Sequence, residues 1–147
     1  MKLRTILAFL VLIFACVIQS WFFLVGIFTN IILATLIAFA FFFDLEELLI
    51  FILFAVFIIN WQPAVSVEVG MFVVIPIAAY MGQRFFALIT WVALPAAIIA
   101  GFLLFYLAVA PGILITNWQG FFVDLFGGLV FGNLVAYALL YRNRSRA

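Results

Sequence analysis

From residue 5 to residue 43 the chain carries no charged side chain, and its polar or flexible points are Gln19-Ser20, Gly26 and Thr29-Asn30. A bilayer's hydrocarbon core is about 30 Å thick and needs about 20 apolar residues per helix. The stretch therefore predicts two helices, at 5–22 and 29–43, joined by an interfacial segment where Trp21 and its neighbouring Phe residues settle. Asp44-Leu45-Glu46-Glu47 reads as a loop and the acidic first turn of a third helix, 46–59, because carboxylates suit the positive end of a helix dipole. Asn60-Trp61-Gln62-Pro63 ends it, since Pro63 lacks an N–H and its predecessor resists the helical region. A fourth helix is expected at 65–81, with Glu68 near its start and Pro76 as an expected kink. Gly82-Gln83-Arg84 reads as a loop, and a fifth helix at 85–108 holds Pro95 and stops before Pro111-Gly112. Residues 113–119 form an interfacial connection to a sixth helix at 120–141, and 142–146 are a solvated tail. Neither a repeat nor a composition shift marks a second unit, so residues 1–147 read as one transmembrane domain.

Composition fixes the class. Of the 147 residues 72% are hydrophobic, 20% aromatic and 7% charged, whereas a soluble domain carries about 45–50% apolar and about 25% charged residues. The expected fold class is all-α, a polytopic integral membrane protein with about six spans. Met1-Lys2-Leu3-Arg4 and the apolar run behind it have the form of a signal peptide, and Ile13-Phe14-Ala15-Cys16 faintly that of a lipoprotein signal. The residues beyond Cys16 are still membrane-like, so a retained first helix is expected. With six spans, Lys2, Arg4, Arg84, Arg142, Arg144 and Arg146 share one side. The positive-inside rule makes that side cytoplasmic, so an inner-membrane protein with both termini in the cytoplasm is expected.

Several chemistries fall away. The net charge of +1 gives no footprint for nucleic acid. Zero His and a single Cys leave no intrachain disulfide, no thiolate or imidazole metal site and no nucleophile–His pair. No cofactor, metal or enzymatic activity is expected.

The polar residues that remain are the candidates. Gly120, Asp124, Gly128, Gly132 and Ala136 recur every fourth residue and form a small-residue stripe on the sixth helix. Asp124 on that stripe should face protein, and an intramembrane carboxylate is either a functional group or a paired structural one. Glu68 lies at a similar depth, so the two could flank one cavity and hold a cation, a proton or a substrate amine. The plainer reading of Glu68 is a first-turn acid in headgroup water. Asn60, Gln62, Asn117 and Gln119 gather on the same side within two Asn-Trp-Gln triplets, as aromatic-belt residues do. Ala93, Ala97 and Gly101 make a second packing stripe, for the sixth helix or another protein, and Asn30, Ala34 and Ala38 a third. Gln19 and Asn133 are expected to bond neighbouring helices. The 21 Phe residues read as lipid-facing bulk.

The order of these features resembles a known family. Gly26-Ile27-Phe28-Thr29-Asn30-Ile31-Ile32-Leu33-Ala34 is similar to the Pro-(Asp/Asn)-Leu-Leu-Leu opening of helix two in the bacterial rod-shape-determining MreD family. Ile59-Asn60-Trp61-Gln62-Pro63, with Gly70 beyond, looks like that family's Leu-Asp-(loop)-Gly hinge. The likeness covers roughly the first 85 residues. It implies a non-enzymatic scaffold of the cell-wall elongation machinery in the inner membrane. Its implied partners are an MreC-like periplasmic protein and other membrane proteins of the elongation complex. The implied fold is similar to that of the vitamin-binding S-components of energy-coupling-factor importers, which makes a small-molecule carrier the alternative function.

Overall fold

The computed structural model describes residues 3–26, 29–59, 66–86 and 90–144, without the side chains at 86 and 140–144. Among these residues every regular element is a helix: α1 (Leu3–Leu24), α2 (Ile31–Ala40), α3 (Leu45–Ile59), α4 (Val67–Phe86), α5 (Thr90–Val109), α6 (Pro111–Thr116) and α7 (Trp118–Arg144). Three of them are long and apolar enough to cross a membrane: α1, α5 and the Trp118–Leu139 part of α7. Their outward faces carry bare Leu10, Phe14, Trp91, Leu107 and Phe126, a surface suited to lipid rather than water.

The helices alternate in direction, which defines two ends. At the basic end Arg4 meets Glu47 at 4.0 Å and lies 4.3 Å over the Phe43 ring. Thr5 donates to Glu47 at 2.9 Å, and Arg84 reaches Asp44 at 3.5 Å. The acidic 44–47 segment is thus held to the basic residues at that end. The opposite end gathers the C-terminal turns of α1, α3 and α5, the starts of α2, α4 and α7, and all of α6.

α2 is the centre of the molecule. It touches α1, α3, α4, α5 and α7, and all ten of its residues are buried. The expected second span at 29–43 is therefore corrected. Ten helical residues rise about 15 Å, half of a bilayer core. The helix stops at Ala40 because the next amides fold back tightly, Phe41 N–H to Ala38 and Phe42 N–H to Phe39. Such a short helix is marginal alone, so burial by its neighbours must stabilise it.

Other boundaries move for local reasons. α1 continues to Leu24, through the segment expected at the interface, and ends at Gly26, whose φ of 81° suits glycine. Gly82-Gln83-Arg84 lies inside α4, not in a loop. The expected connection at 113–119 is largely helical: Pro111 at its start opens α6, where a missing N–H costs nothing, and α7 begins at Trp118. The phenylalanines divide between two roles. Phe39, Phe51, Phe72 and Phe102 are fully buried, and Phe51 stacks edgewise on Phe9 and Phe43 at centroid distances of 4.9 and 5.0 Å. Phe residues are thus core as well as lipid-facing bulk.

Candidate functional site

The stripe on α7 turns inward. A Cβ at Gly128 would lie 2.5 Å from the Phe102 ring, and one at Gly132 would lie 2.6 Å from the tip of Ile98, so α7 and α5 touch closely there. Ala136 is buried on the same line. Gly120 differs: its neighbour is the side chain of Asn117, which accepts the Gly120 N–H at 3.1 Å and caps α7. Gly120 is therefore a capping position rather than an interhelix contact.

Asp124, on that inward line, is 0% exposed. Three donors converge on its carboxylate. Asn30 gives its backbone N–H to Oδ1 and its Nδ2 to Oδ2 at 2.8 Å, and the Tyr106 hydroxyl donates to Oδ2 at 2.6 Å. The group joins α7, α5 and the first turn of α2. Asn30 does not cap α2 with its own side chain. Two of the free amides there are met from other helices, Asn30 N–H by Asp124 and Ile32 N–H by Gln19 of α1 at 3.0 Å. A carboxylate at this N-terminus also opposes the positive end of the α2 dipole. Counting back along α1 and α7, the knot lies about 8–9 Å inside their ends.

Above the knot opens a cavity of about 730 Å³, within the range of small-molecule sites. Its polar wall comprises Gln19, Ser20, Thr29, Asn30, Glu68 and Tyr106, and its apolar wall includes Ile32, Ile58, Phe105 and Ile113. Glu68 thus lines the cavity. Asp124 does not; it lies one side chain behind, masked by Asn30 and Tyr106. The sequence reading missed Tyr106, whose hydroxyl on an apolar helix was the available signal.

The other candidates scatter. Asn117 and Gln119 are exposed at the start of α7, and Asn60 and Gln62 lie outside the described residues. Asn133 bonds its own helix, giving Nδ2 to the Leu129 carbonyl at 2.7 Å rather than reaching a neighbour. Ala93, Ala97 and Gly101 face α4 and α2 instead of α7; a Cβ at Gly101 would meet Ile37 and Ile75 at 2.8 Å. Among the described residues no three His, Cys, Asp or Glu side chains gather that could hold a metal ion.

Between α4 and α5 runs a second recess of about 400 Å³, reaching from Phe41 and Gln83 to Leu104. Small residues make up most of its walls, among them Ala78, Ala79 and Gly82 from α4, and Ala96, Ala97 and Ala100 from α5. Compared with known protein families, with curated proteins and with solved structures, the chain finds no match.

Proposed function

We propose that the protein is a non-enzymatic, multi-pass scaffold of the bacterial inner membrane, similar to MreD, with both termini cytoplasmic. In this reading it receives the transmembrane helix of an MreC-like periplasmic protein and contacts other membrane proteins of the elongation complex. The α4–α5 groove carries the proposal. Small side chains at helix surfaces let a further backbone approach closely, which is how helices associate in lipid. The α7 stripe is filled by Phe102 and Ile98 of the same chain, whereas the α4–α5 groove stays open, with Ala78, Ala96 and Ala100 exposed along it. Burial of Asp124 among three donors also suits a structural role for that charge. The test is photocrosslinking in cells from position 100, with exposed Phe126 on α7 as control, together with co-purification of an Ala100→Trp variant. Crosslinks to a single-span partner from position 100 alone, and loss of that partner from Ala100→Trp, are expected. Retention of the partner by Ala100→Trp with no crosslink at 100 would refute the proposal.

The cavity favours a second reading, a small-molecule carrier similar to an S-component. Its volume of about 730 Å³ and mixed wall are suited to enclosing a compact ligand.

A further inference from the structure

Resting on the second of these readings, we propose that the cavity at the start of α2 is a site for an amphipathic organic cation, an ammonium group on an apolar body. The argument starts from where the hydrogens go. Tyr106 donates its only hydroxyl hydrogen to Asp124, and Ser20 donates its own to the Cys16 carbonyl at 2.8 Å. Both residues line the cavity, and neither has a hydroxyl hydrogen left for a ligand. Thr29 also lines the cavity, with its hydroxyl oxygen buried. It is 9% exposed, and its oxygen has no hydrogen-bond partner among the described residues. With the Ser20 and Tyr106 hydrogens committed, the wall favours a ligand that brings its own donors.

Charge selects the same ligand. Among the described residues the one charged side chain lining the cavity is Glu68, and the nearest charge behind the wall is Asp124. Arg4 and Arg84 are both held at the far end of the molecule by Glu47 and Asp44. Apolar walls at low dielectric strengthen the field of Asp124, and Glu68 adds a second carboxylate from a solvent-exposed position on the first turn of α4. Asp124 and Gln19 already occupy two of the free amides at the positive end of α2, which limits its offset. Ile32, Ile58, Phe105 and Ile113 then accept the apolar body.

The experiment uses the full chain in lipid nanodiscs, with empty nanodiscs as the partition control. Three probes of one shape are titrated: 4-phenylbutylamine, 4-phenylbutan-1-ol and 4-phenylbutanoate. Saturable binding of the amine is expected, with the alcohol about tenfold weaker or more and the carboxylate undetectable, as loss of a charge-assisted contact implies. Glu68→Gln should erase much of the amine's advantage and leave the alcohol unchanged, and Ser20→Leu should abolish binding of both. Equal affinity for amine and alcohol, or an amine preference untouched by Glu68→Gln, overturns the cation site while sparing the carrier reading. Absence of saturable binding by all three probes overturns both.

Discussion

Replacing Asp124 by alanine should unfasten the centre of the molecule. The substitution removes a single acceptor group and strands three donors, the Asn30 N–H, the Asn30 amide and the Tyr106 hydroxyl. A buried donor left unsatisfied costs about 1–3 kcal/mol, while interhelical bonds inside membranes average about 0.6 kcal/mol and reach about 1.7. Asn30 and Tyr106 also line the cavity, where water relieves part of the penalty. The loss should total about 2–6 kcal/mol, a large share of a typical stability of about 5–15. Asp124→Asn keeps the shape and one acceptor oxygen, so about 1–2 kcal/mol is expected. Tyr106→Phe alone deletes one bond of the three. Combined with Asp124→Asn it should be non-additive by about 0.5 kcal/mol or more, because the two groups touch. Reversible unfolding in bicelles gives these energies, and hydrogen exchange locates them. The amides of Ile31 and Ile32 should lose protection before those at the C-terminal end of α2. An Asp124→Ala protein within about 0.5 kcal/mol of wild type, with α2 exchange unchanged, would refute the knot.

Three further outcomes are expected. Gly128→Ala should cost about 1–3 kcal/mol in the same unfolding assay, because the Cβ meets a buried ring, whereas Gly132→Ala should stay within about 1 kcal/mol, since the tip of Ile98 can swing and alanine favours the helix. Thr29→Val should leave stability unchanged or raise it by about 1 kcal/mol, as it removes a buried hydroxyl without a partner among the described residues; a loss of similar size would mean the hydroxyl is satisfied. In intact cells an impermeant thiol reagent should label Ile115→Cys, which is 84% exposed at the cavity end, and spare Glu46→Cys at the basic end; the reverse pattern would invert the proposed orientation.

The linear pattern determined the class and much of the layout. Without water only helices and closed barrels satisfy every backbone group, long unbroken apolar runs select helices, and the charge-free stretches between breakers such as Pro63 and Pro111 locate them. The four-residue recurrence from Gly120 to Ala136 placed Asp124 on an inward line, since residues at that spacing share one helix face. The surroundings of that line were decided by tertiary contact. Periodicity cannot show that α2 shrinks to ten residues, because its length depends on the turn after Ala40 and on cover by five other helices. Nor can it pair Asn30 with Asp124 across 94 positions, or bring Tyr106 to the same carboxylate. Lipid-facing and core phenylalanines also look alike in sequence, because membrane and protein interior are equally apolar; only packing separates Phe51 from Phe57. The cavity is tertiary for the same reason. It exists where a short central helix starts below the ends of its longer neighbours, and no single segment records that difference in height.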